Sequence, residues 1–166
     1  MSELSVRLLP WSADDLSLLS RINTPQMRRH LGGPESEAQV VARHQRYLAL
    51  EDGRMFRVEL PSGEAAGSAA FWSRVWHGVP VYEAGWNVLP EFQGQGIATA
   101  AVRAVIAAAR ADGRHESLHA FPSVANAASN TVCRKAGFAL VGETDFEYPP
   151  GRFMRSNDWR YDLGGS

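Results

Sequence analysis

Apolar side chains follow two rhythms along this chain, and the changes between them mark its elements. Across residues 12–51 the spacing is helical: Leu16, Leu19 and Ile22 share one stripe, and Val40, His44, Tyr47 and Leu48 share another. Ser12 suits the cap of a short helix over 12–21, and Ser36 begins a longer one reaching about residue 51. Thr24-Pro25, a cap followed by proline at the first helical position, is a further start signal. Ahead of them, residues 5–9 read as a strand stopped by Pro10. From Met55 the period shortens to two. Residues 55–60 and 65–72 predict a hairpin around Pro61-Ser62-Gly63-Glu64. A loop holding Trp76, His77 and Gly78 leads to a long strand over 79–89, ended by Pro90. The helical period returns over 96–110, with Val102 and Ile106 on the buried stripe and Gly113 as the stop. A short strand over 117–121, a helix over 126–136 closed by Gly137, and strands over 138–143 and 153–163 complete the chain. The order β-α-α-β-β-β-α-β-α-β-β predicts an α+β fold, a single mixed and mostly antiparallel sheet flanked by helices.

Composition narrows the classes. A length of 166 residues favours one domain over 1–166 and a core that needs no staple. With 17 Lys and Arg against 18 Asp and Glu, nothing marks a nucleic-acid or polybasic membrane binder. The lone cysteine, Cys133, excludes an internal disulfide and suits a reducing compartment. No run approaches the ~18 apolar residues of a membrane span, and residues 1–16 lack a signal-peptide core, so a cytoplasmic protein is expected. The five histidines, at 30, 44, 77, 115 and 119, have no shared ligand spacing, so no metal is expected.

The strongest local signal is Gln93-Gly94-Gln95-Gly96-Ile97-Ala98, set between a strand and a helix. Glycines let the backbone close around an anion, and the helix start offers unpaired N–H groups and the positive end of its dipole. Such a turn suits a phosphate or pyrophosphate. Thr99 occupies the place where a dinucleotide fingerprint wants its last glycine, and the preceding strands form a meander. No Lys-Ser/Thr pair follows, which argues against a P-loop. The remaining reading is a coenzyme held by its pyrophosphate. A second signal lies downstream: Asn126, Ser129 and Cys133 share one helical face, and Lys135-Ala136-Gly137-Phe138 follows. Asn126 and Ser129 also fit a plain helix cap.

With these two motifs the sequence resembles the GNAT N-acetyltransferases. Gln93, Gly96 and Ala98 match the family's glycine signature. Asn126-x-Ala128-Ser129, Lys135-x-Gly137-Phe138 and the closing Asn157-Asp158-Trp159-Arg160 are similar to the branch containing ribosomal-protein alanine acetyltransferases. The resemblance implies a splayed sheet and transfer of acetyl from acetyl-CoA to a primary amine by direct attack. It implies that Gln95, Gly96, Ile97 and Ala98 hold the CoA pyrophosphate, with Gln93 and Gly94 shaping the turn. It also implies that Trp86, Asn87 and Val88 line the pantetheine arm, with Asn126 bonding to it and Lys135 in the same motif. Homodimers are common on this fold.

The chemistry needs a base for the amine proton, and Glu83 is the candidate. It sits mid-strand among Val81, Tyr82 and Trp86, where burial raises a carboxyl pKa. The alternative is a Glu paired with a nearby Arg. Many family members place a tyrosine where this chain has Cys133; the ribosomal-protein branch implies Ser129 as donor to the leaving thiolate. Trp72, Trp76, His77 and Phe121 are candidate acceptor contacts. His119 reads as a core histidine rather than a second base. Arg28 and Arg29 read as a solvated face near the acceptor mouth. The expected acceptor is a small amine. A protein N-terminus, a non-catalytic acyl-CoA sensor and a nicotinamide-dependent oxidoreductase are the rivals.

Overall fold

The computed structural model describes residues 5–148 and 150–164. Its elements, in chain order, are β1 (Arg7–Pro10), α1 (Leu16–Ile22), α2 (Glu37–Leu48), β2 (Gly53–Glu59), β3 (Ala65–Trp76) and β4 (Val79–Val88). They continue with α3 (Ile97–Asp112), β5 (Ser117–Ala120), α4 (Ala127–Ala136), β6 (Ala139–Glu147) and β7 (Phe153–Asp162). The strands form one sheet of order β1-β2-β3-β4-β5-β7-β6, antiparallel except where β4 meets β5. Helices cover both faces. Phe71, Tyr82, Val102, Val105, Leu118 and Trp159 form the larger core under α3 and α4. Leu18, Leu19 and Ile22 of α1, with Val40 of α2, close a second core on the opposite face.

Five local expectations change. Thr24-Pro25 starts no helix: Thr24 Oγ1 accepts the Met27 amide like a cap, but the turn ends at Gly32 and Gly33, both at positive φ. Arg28 fastens it there, donating from its side chain to the Gly33 and Leu31 carbonyls. Arg28 is therefore buried, not part of a solvated face. Pro10 ends β1 from within, which an edge strand tolerates because no neighbour needs its missing N–H. Helix α2 stops at Leu48, which is exposed rather than inward. Strand β3 runs on through Trp76, so the turn is only His77-Gly78. Their φ values of 51° and 78° are the positive pair that a tight hairpin needs.

The sheet opens at one place. β4 and β5 pair only at Tyr82 with Leu118 and Glu83 with His119. Beyond Glu83, the Leu89 amide holds β4 to β3 through the Ala66 carbonyl. The chain after β5 instead follows β7, with Asn157 donating to the Pro122 carbonyl and Val124 to that of Arg155. The two strands are pulled to different neighbours, and a wedge opens between residues 84–88 and 120–123.

Candidate active site

A cavity of about 440 Å³ fills this wedge and extends over the α1 and α2 face of the sheet. Its wall includes Glu83, Trp86 and Asn87 on one side and Phe121, Ser123, Asn126 and Ser129 on the other. Backbone N–H groups alternate in direction along a strand. The Leu89 amide points to β3, so the Val88 amide points into the wedge. Gln93 Nε2 donates to the Val88 carbonyl at 2.9 Å, tying the glycine turn to the strand end.

The turn itself is exposed just beyond the end of β4. Gly94 and Gly96 have φ of 77° and 81°, the left-handed region that side chains resist. Gly96 caps the 16-residue helix α3. The first helical bond runs from the Ala100 amide to the Gly96 carbonyl, so the preceding amides face outward at the positive end of the dipole. A Cβ at Gly94 would meet nothing within 4 Å, leaving room for a large anion against the backbone. These residues fit a pyrophosphate-bearing coenzyme.

Helix α4 presents the second motif. Asn126 Oδ1 accepts the Ser129 amide at 3.1 Å, so Asn126 does cap the helix. Both residues also line the cavity. The shared face stops there: Cys133 is fully buried in the larger core, and burial pushes its thiol up to about 12. Ser129 reaches the cavity and Cys133 does not. Lys135 is exposed on the last turn, away from the wedge, where its carbonyl takes a bond from Arg103. A residue that the motif reading passed over, Asn130, ties the helix down. It donates to the Ser123 and Asn126 carbonyls and accepts from Asn157 and the Trp159 indole.

Glu83 stands where β4 and β5 part. It is paired with Arg74, Nη1 to Oε1 at 2.6 Å, as the alternative reading held. That contact engages one oxygen. Burial raises its pKa, and the Arg74 guanidinium and then Trp72 oppose the rise without cancelling it. Arg74 lies among the rings of Phe146, Phe121 and Trp76, at 4.7, 5.5 and 5.5 Å. Beside Glu83 across the strand pair, His119 is buried and bonded through Nδ1 to Asp158 at 2.6 Å. The Trp76 indole donates to the other Asp158 oxygen. His119 thus takes the core role. Of the four expected acceptor contacts, Trp72 and Phe121 line the cavity. Trp76 sits behind Phe121, at 4.7 Å between ring centres, and His77 is exposed at the hairpin tip.

Apart from Arg28, which the sequence reading set near the acceptor mouth, the far end of the cavity is built from residues that it did not single out for the site. Glu35 receives a two-point bond from Arg43, at 2.8 and 2.7 Å. That bond holds its carboxyl below the usual range despite burial. The same guanidinium donates to the hydroxyls of Tyr47 and Tyr148. Arg43 and Tyr148 are 105 residues apart, so no local spacing could reveal the cluster.

A family model described as an acetyltransferase (GNAT) domain matches residues 5–139. The chain belongs to the GNAT acetyltransferase family. A comparison with curated proteins finds no match. Solved structures place the GNAT fold over nearly the full length. RimL, a ribosomal-protein alpha-N-acetyltransferase solved with coenzyme A, is 19% identical, with 99% of this chain and 97% of that chain covered at a TM-score of 0.79. A spermidine N-acetyltransferase from Vibrio cholerae, solved with CoA and spermine, is 16% identical, with 96% of each chain covered at 0.79. The microcin self-immunity acetyltransferase MccE, solved with acetyl-CoA and AMP, is 18% identical, with 95% of this chain and 92% of that chain covered at 0.78. Family membership identifies the chain as an acetyl-CoA-dependent N-acetyltransferase and removes the nicotinamide alternative. Among the described residues no three His, Cys, Asp or Glu side chains gather as a metal site, and no helix is long and apolar enough to cross a membrane.

Proposed function

We propose that residues 1–166 act as one domain that transfers acetyl from acetyl-CoA to a small primary amine in a ternary complex. The observation that carries this reading is the continuous cavity, which joins the wedge to the α1 and α2 face with Glu83 at the junction. About 440 Å³ is the size of a small-molecule site. Acetyl-CoA brings the activated acyl group, and the chain supplies the rest. The amides of Gln95, Gly96, Ile97 and Ala98 hold the pyrophosphate, with Gln93 and Gly94 shaping the turn. Trp86, Asn87 and Asn126 flank the pantetheine arm, and the Val88 amide faces the thioester oxygen, where negative charge develops. Glu83 takes the amine proton through the oxygen that Arg74 does not hold, directly or through water, because only a neutral amine has a lone pair for attack. The C–S bond then breaks, and the Ser129 hydroxyl donates to the departing sulfur. Trp72 and Phe121 form the apolar wall beside the reacting centre. The buried free thiol of Cys133 supports a cytoplasmic setting. Exposed Leu140 and Val141 on the edge strand β6 support a homodimer, which sedimentation will weigh.

The test is thiol release from acetyl-CoA across a panel of small amines and N-terminal peptides. Turnover on small amines is the expected result. Turnover on peptides alone would move the acceptor to protein N-termini, and calorimetric CoA binding with no turnover on any amine would make the chain a sensor.

A further inference from the structure

The acceptor end of the cavity carries the guanidinium groups of Arg28, Arg43 and Arg46 against one carboxylate, Glu35. Glu35 is engaged on both oxygens by Arg43. Glu83 at the other end is matched by Arg74. Burial and then Arg29 lower the pKa of His30, which disfavours its charged form. The far wall is therefore positive, and Arg46 is exposed on it with no ion-pair partner among the described residues. The hydroxyls of Tyr47 and Tyr148 sharpen this. Each accepts from Arg43, at 3.2 and 3.3 Å, so each keeps its own proton to give. Two oxygens within reach of one guanidinium are neighbours, and both rings line the cavity.

The geometry points to an acceptor that carries an anionic group, a carboxylate or a phosphate, besides its amine. Arg46 and the two phenol hydroxyls receive the anion, and the amine is left facing Glu83. This rests on the acetyl-transfer reading above and names the substrate class. It sets polyamines aside, since a polycation would meet three guanidiniums with no free carboxylate to answer it. A bond from a charged group is worth enough to set selectivity at about tenfold or more.

The test uses paired amines with acetyl-CoA: O-phosphoethanolamine against ethanolamine, and leucine against leucinamide, with spermidine alongside. The anionic member of at least one pair should have a kcat/KM about tenfold higher, and the pair that responds tells phosphate from carboxylate. Arg46→Gln and Tyr148→Phe should each bring that ratio toward one, with CoA binding by calorimetry as the check on folding. A preference for ethanolamine, leucinamide or spermidine overturns the inference, as does an anionic preference that neither variant reduces. If no amine is turned over, the transfer reading fails on its own, and calorimetry of the CoA complex with O-phosphoethanolamine and leucine still decides the site. Saturable heat lost in Arg46→Gln supports the anion site; no heat from either amine overturns it.

Discussion

The two ends of the proposed site would recognise their ligands by different means. At the coenzyme end the proposed contacts are mostly backbone: the amides around Gly96 and the Val88 amide, aimed by a turn and by strand alternation. At the acceptor end they are side chains from α2 and from the β6–β7 connection, locked by Glu35 and Arg43. Backbone recognition needs only the right turn, so it survives large changes of sequence. Side-chain recognition needs distant residues to meet, so it can be rewritten one residue at a time. The solved neighbours illustrate this, one holding spermine and another AMP on the same fold.

The sharpest way to test the junction of the two ends is Glu83→Gln, which keeps the shape and removes the proposed base. Turnover should fall by about 10²–10⁴-fold with CoA affinity, measured by calorimetry, nearly unchanged. Retained turnover would move the base elsewhere, and Glu35 could not take the role while Arg43 holds its carboxyl low. A smaller effect is expected from Gly67→Ala, which strikes the coenzyme end through the sheet. A Cβ at Gly67 would lie 1.9 Å from the Asn87 carbonyl oxygen, a backbone atom that moves only with its strand. Acetyl-CoA KM should rise by about tenfold and stability fall by about 1–3 kcal/mol. Gly63→Ala, in the β2–β3 hairpin and outside the cavity lining, is the control, because its Cβ has open space and only the φ strain of about 1–2 kcal/mol opposes it.

What the sequence made legible follows the same division. Every strand and helix of the expected order is present, because periodicity and glycine stops act within a few residues: Gly113 and Gly137 cap α3 and α4 in the left-handed conformation. The glycine turn was legible for the same reason. Thr24-Pro25 misled because a start signal cannot show that Gly32-Gly33 will end the turn before it propagates. Cys133 shares a helical face with Ser129 in projection, but the packing of α4 against α3 sends its thiol into the core. An arginine partner for Glu83 was foreseen but not which one, since Arg74 arrives across a hairpin, and the Asp158 partner of His119, across 39 residues, was not legible at all.

Arg74 gives a prediction of intermediate size, read in pH. The proposed base, Glu83, can accept a proton only when ionised, so kcat/KM should rise through its folded pKa on the acid side. Burial raises that pKa and Arg74 pulls it back. Arg74→Met should therefore move the acid limb to higher pH, and an unmoved limb would uncouple Arg74 from the base. Stability carries the same sign. A raised folded pKa means that the folded protein holds the Glu83 proton more tightly than the unfolded chain does. This contribution is fully present below the unfolded value and lost as pH rises through the folded one. The Tm of Arg74→Met should thus fall further below that of the parent at neutral pH than at acidic pH.

The smallest effect separates two roles that coincide in one side chain. Asn126 caps α4 by accepting the Ser129 amide, and it also faces the wedge where the pantetheine arm is proposed to lie. Serine caps a helix about as well as asparagine, but it has no amide to reach the coenzyme. Asn126→Ser should therefore leave Tm nearly unchanged and raise acetyl-CoA KM a few-fold. Asn126→Ala should do both, losing roughly 1 kcal/mol of stability along with the affinity. If the serine variant matched the parent in both measurements, Asn126 would be a cap alone. Coenzyme recognition would then rest on backbone groups and on Ser129, which would draw the contrast between the two ends still more sharply.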